Sequence, residues 1–149
     1  MYRYGYGYRY RWSLTLKSIL RRLIFLIIIG IVFYMAPSIM PSWSLTVRGV
    51  NISLIEIFRA ILIMLLIYVT YGFKYDLESI AFTIGLRRPF FVGSLMYLVC
   101  LAIAYKGLKE ISIKALSMIL SGDIPVKVYN LIFLILFIWV VYRIISELL

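Results

Sequence analysis

The chain predicts an all-α integral membrane four-helix bundle with short interfacial amphipathic helices. Three observations carry that class: 64% of its 149 residues are hydrophobic, mean hydropathy is +1.03, and four long apolar stretches occupy most of its length. The stretches are Leu23–Ala36, Ala60–Tyr71, Pro89–Tyr105 and Leu131–Tyr142, and none has an acid or histidine at its middle. A water-soluble domain of this size would alternate apolar and polar faces to wet its surface. Crossing roughly 30 Å of hydrocarbon takes about 20 helical residues, so each stretch recruits flanking positions. The expected spans are about 18–36, 53–72, 89–105 and 128–146, forming one domain (13–149) behind a Tyr/Arg-rich tail (1–12).

The tail has the most unusual local pattern. Tyr2, Tyr4, Tyr6, Tyr8 and Tyr10 alternate with Arg3, Gly5, Gly7, Arg9 and Arg11, and Trp12 ends the run. In an extended backbone every ring would face one side. Rings at interface depth and guanidinium groups on phosphates make it a tail for anionic headgroups of membrane lipids. Tyr and Arg also suit a protein partner. Nucleic acid is disfavoured, because nothing else in the chain resembles a nucleic-acid module.

Arg21 and Arg22 can snorkel at the start of the first span, and Pro37 and Pro41 are expected to stop it. Trp43 suits an interface anchor, and Leu45–Ile52 has the alternation and the Gly of a small hairpin. Ser53 to Glu56 matches a capping box opening the second span. In the second connector Leu77, Ile80, Ala81 and Ile84 share a helical face, with Asp76 at its start and Gly85 at its close. In the third, Leu108, Ile111, Ala115 and Ile119 form a stripe, with Glu110 and Lys114 paired at i,i+4. Both read as helices lying flat at the interface. Gly122-Asp123-Ile124-Pro125 turns the chain into the fourth span.

Charge sets the orientation. One side collects Arg3, Arg9, Arg11, Lys17, Arg21, Arg22, Lys74, Arg87, Arg88 and Arg143; the other holds Arg48, Lys106, Lys109, Lys114 and Lys127. Positive-inside bias then places both termini in the cytoplasm of a multi-pass cell-membrane protein. Depletion of amide residues, with glutamine absent and asparagine only at positions 51 and 130, fits a thermophile.

Candidates for chemistry are few. There is no histidine, six acids and one cysteine, Cys100, which leaves little for acid–base work and excludes a cysteine-based zinc site or an internal disulfide. No catalytic activity, cofactor or metal is expected. Glu56 and Arg59 share a helix face, either as an intramembrane ion pair or as a cap and a snorkelling Arg. Thr70, Ser94 and Asn130 join them as possible pore-lining groups, while Gly93, Ser94 and Cys100 are small enough to let helices approach closely. The expected role is a structural or accessory subunit of a membrane assembly or homo-oligomer. The rival is an oligomeric pore.

From Arg88-Pro89-Phe90-Phe91-Val92 onward the chain resembles the PsiE (phosphate-starvation-inducible) family of small four-span membrane proteins. The resemblance covers the order of spans from about Leu54 to Leu149 and implies topology, since that family's activity is undefined. The chain departs from the pattern in lacking histidine, in placing Cys100 where an arginine is expected, and in its Tyr/Arg tail.

Overall fold

The computed structural model describes the backbone from Gly5 to Leu149 and the side chains from Leu14 onward. It contains α1 (Gly5–Ile39), β1 (Ser44–Val47), β2 (Val50–Ser53), α2 (Leu54–Thr83), α3 (Pro89–Ser117) and α4 (Ile124–Leu148). Each of the four helices is long and apolar enough to cross a membrane, α1 over Leu14–Ile39. The all-α membrane-bundle class is what the structure has, and the chain is a polytopic membrane protein.

The helices are longer than the apolar runs. Nothing between Tyr71 and Ile84 breaks a helix, so α2 runs 30 residues to Thr83, about 45 Å at 1.5 Å per residue. Likewise α3 continues through the Leu108–Ala115 stripe to Ser117. The two segments expected to lie flat at the interface are therefore the last turns of α2 and α3. Helix stop signals decide this: Gly85 takes a left-handed φ of 79°, and the amides of Gly85 and Leu86 bond back to Phe82 and Ala81 at 3.1 and 3.0 Å. That double bond is a Schellman close. Pro37 does not stop α1 either. It lies inside the helix, where it removes only the bond to Phe33 near the end, and Met40, disfavoured from helix by Pro41, ends it.

The hairpin forms as expected. Ser44 pairs with Ser53 and Val47 with Val50, leaving Arg48 and Gly49 in the turn at φ 50° and 81°. Two consecutive positive φ values are the mark of a type I′ turn, which matches strand twist. The Trp43 carbonyl then accepts from the Leu54 amide at 2.9 Å, tying the hairpin to α2, and the Trp43 ring is exposed.

The capping box at the start of α2 is complete: the Ser53 hydroxyl accepts from the Glu56 amide at 3.3 Å, and the Glu56 carboxylate accepts from the Ser53 amide at 2.9 Å. Ser53→Ala is expected to lower stability by about 1 kcal/mol. Thermal unfolding in detergent micelles checks this as a lower midpoint with unchanged helical circular dichroism.

Successive helices pack as neighbours: α1 on α2, α2 on α3, α3 on α4. No extended contact joins α1 to α4 among the described residues, so the bundle is open along that seam. Its small core includes Ile29, Ala36, Leu62, Ile63, Ala81, Cys100, Tyr129, Val140 and Ile144.

Candidate functional site

The tail residues Tyr2, Arg3 and Tyr4 lie outside the described residues, as do the side chains of Tyr6, Tyr8, Arg9, Tyr10, Arg11 and Trp12. From Gly5 onward the backbone is helical rather than extended.

The main concentration of interacting charge lies where the apolar run of α1 begins and those of α2 and α4 end, at the end of the bundle shared by both chain termini. Here Arg22 Nε meets Asp76 Oδ2 at 2.8 Å, and Lys74 Nζ lies 3.6 Å from Glu78 Oε1. Lys74 also donates to the Tyr97 hydroxyl at 2.8 Å. The Arg143 guanidinium sits 4.8 Å from the Tyr97 ring centroid and reaches Glu147 at 3.4 Å. Glu147 in turn accepts from the Ser94 hydroxyl, and Ser94 is fully buried. Three cations thus face three acids, and the set joins all four helices without net charge.

Local sequence makes room for it. A Cβ at Gly72 would occupy the place of the Arg22 guanidinium, and one at Gly93 the place of the Glu78 carboxylate. Each glycine is a seat for a charged group from the neighbouring helix. Register does the rest. Tyr97 lies opposite Lys74 and Gly93 opposite Glu78, so the apolar run of α3 starts about three turns beyond the level where that of α2 ends. The oily start of α3 covers the charged last turns of α2, and Asp76 and Glu78 keep only 9% and 14% side-chain exposure. Charges buried at this depth need partners, and these have them.

This corrects three sequence expectations. Asp76 does not start a helix; it is buried within α2 and paired with Arg22. Lys114 pairs with Glu56 across α2 and α3 rather than with Glu110, because Glu110 is exposed while Glu56 lies at the same height. Glu56 is therefore both cap and ion-pair partner, and it does not pair with Arg59. Arg59 packs 5.7 Å from the Phe33 ring centroid, and its Nε is buried without a hydrogen-bond partner.

The possible pore-lining residues are not brought together within one protomer. Thr70 and Ser94 are buried, on α2 and α3. Asn130, exposed on α4, accepts from the Tyr105 hydroxyl at 3.1 Å. Sequence reasoning found Ser94 and Gly93 as close-approach residues and missed Glu147 and Glu78 as their partners, together with the Arg22–Asp76 and Lys74–Tyr97 contacts beside them. The available signal was the unbroken helical run carrying Lys74, Asp76 and Glu78 past Tyr71. Cys100 behaves as the small packing residue expected: it is buried, with Sγ 3.8 Å from the Ile67 carbonyl.

Among the described residues no three His, Cys, Asp or Glu side chains gather as a metal-ligand set. Each acid of the layer lies at ion-pair distance from a cation, although Arg22 Nε, Asp76 Oδ2 and Glu78 Oε1 are buried without a hydrogen bond, and the layer fixes helix register. No family model, curated protein or solved structure matches this chain.

Proposed function

We propose that this chain is a non-enzymatic structural or accessory subunit, working within a larger membrane assembly or as a homo-oligomer. The carrying observation is the division of its surface. Charged side chains in the layer are spent on one another, while α1 and α4 turn wide apolar faces outward on either side of an open seam. Along α4 only Pro125, Tyr129, Val140 and Ile144 are buried. Such faces favour lateral packing against another transmembrane surface, where close van der Waals contact drives association. Both termini are cytoplasmic in this reading, supported by Lys17, Arg21, Arg22, Arg87, Arg88 and Arg143, which lie towards the same end. The order of spans and Arg88-Pro89 at the start of α3 support the PsiE-like resemblance as a proposal of topology.

Purification in a gentle detergent, followed by mass measurement of the intact particle, is expected to give a complex or oligomer. A lone protomer would sink the reading. The pore alternative requires polar groups at a surface between subunits, and Asn130 is the exposed candidate. In planar bilayers the accessory subunit is expected to give no conductance above background, and unitary currents abolished by Asn130→Leu would replace it with the pore.

A further inference from the structure

A second feature lies on the outer side of the α1–α2 contact. A cleft of about 480 Å³ opens there, lined by Phe25, Ile28, Val32, Leu65 and Val69, with Arg21 and Arg22 at its mouth. The two arginines differ in state. Arg22 is paired with Asp76, whereas Arg21 is exposed and lies on the cleft side.

From Arg21 to Val32 the lining runs about 16 Å along the helix axis, close to half of a hydrocarbon core of roughly 30 Å. The cleft is therefore as deep as one leaflet. Its cationic end stands where the apolar run of α1 begins, the boundary at which lipid phosphates are expected. An uncompensated guanidinium above a one-leaflet apolar slot is complementary to one kind of occupant. It must carry a single negative charge at phosphate height and a hydrocarbon chain below. A guanidinium also matches phosphate oxygens in a two-pronged geometry that an ammonium does not.

We propose that the α1–α2 cleft is a seat for one anionic glycerophospholipid, its phosphodiester on Arg21 and one acyl chain along Ile28, Val32 and Val69. The seat rests on the chain being embedded in a bilayer, not on its accessory role. The net charge of +10 favours anionic over zwitterionic lipid in bulk, so the seat is distinguished by its dependence on one residue.

The test is native mass spectrometry of the full chain in detergent with equal dioleoyl phosphatidylglycerol and dioleoyl phosphatidylcholine. The wild type is expected to retain one phosphatidylglycerol preferentially, and Arg21→Gln to lose about fivefold in that preference. Ile28→Trp, which fills the slot without changing charge, is expected to lower retention of the same lipid. Equal retention by wild type and both variants, or equal retention of the two lipids by the wild type, would overturn the seat. Carbonate extraction of membranes carrying the wild type separates the outcomes: protein that stays in the pellet but shows no preference between the two lipids refutes the seat alone, and protein released into the supernatant refutes the membrane embedding beneath it.

Discussion

Asp76→Ala is expected to destabilise the protein by about 3–5 kcal/mol, because it leaves the Arg22 guanidinium part-buried without its counter-charge. The change removes little volume, so packing loss contributes a minor share. Replacing both partners, Arg22→Met with Asp76→Leu, is expected to recover most of the loss, since an apolar pair of similar size leaves no stranded charge. Unfolding by SDS titration in mixed micelles measures all three stabilities. If Asp76→Ala unfolds with the wild type, the pair does not hold α1 to α2. A double variant as weak as the single one would mean that the two side chains act through other groups.

The second large effect is expected at Ser94, which has no exposed surface. Ser94→Leu forces a branched side chain between α3 and α4, where overpacking costs about 1–3 kcal/mol. It also takes the hydroxyl from Glu147. Ser94→Ala removes only that hydroxyl, and Arg143 still engages Glu147, so a loss of about 1 kcal/mol is expected. The leucine variant should lose α4 protection first. Hydrogen exchange across 140–149 checks this, with faster exchange there than in α2. Uniform exchange across the bundle would place Ser94 outside the α3–α4 contact.

Much of the fold is written locally. Four apolar runs announce four spans, Ser53 and Glu56 spell their reciprocal cap, and alternation from Leu45 to Ile52 with Gly49 specifies the hairpin. Each of these depends on residues a few positions apart. The ionic layer is not local. Lys74, Asp76 and Glu78 look like connector residues because charge usually marks the way out of the membrane. Their true place follows from partners on other helices: Arg22, Gly93 and Tyr97. Periodicity ranks near neighbours, which is why Glu110 looked like the natural mate of Lys114. Helix register across α2 and α3 gave that lysine to Glu56 instead. Stop signals are legible in the sequence: Gly85 and Gly122, both at left-handed φ, mark the true ends of the α2 and α3 regions better than the edges of the oily runs do.

The stagger between α2 and α3 has a consequence for the surrounding bilayer. Counting from Tyr97 back to Pro89, the hydrocarbon-facing belt on the α3 flank reaches about 12 Å further than on the α1 flank. Phe90 and Leu95, both outward-facing, extend that belt. Lipids meeting the two flanks therefore face different hydrophobic heights around a single molecule. A tilt of the whole bundle, or a leaflet thinned on one side, relieves such mismatch at fractions of a kcal/mol per Å. Flanks of unequal hydrophobic height are expected to slope the lipid annulus around the bundle.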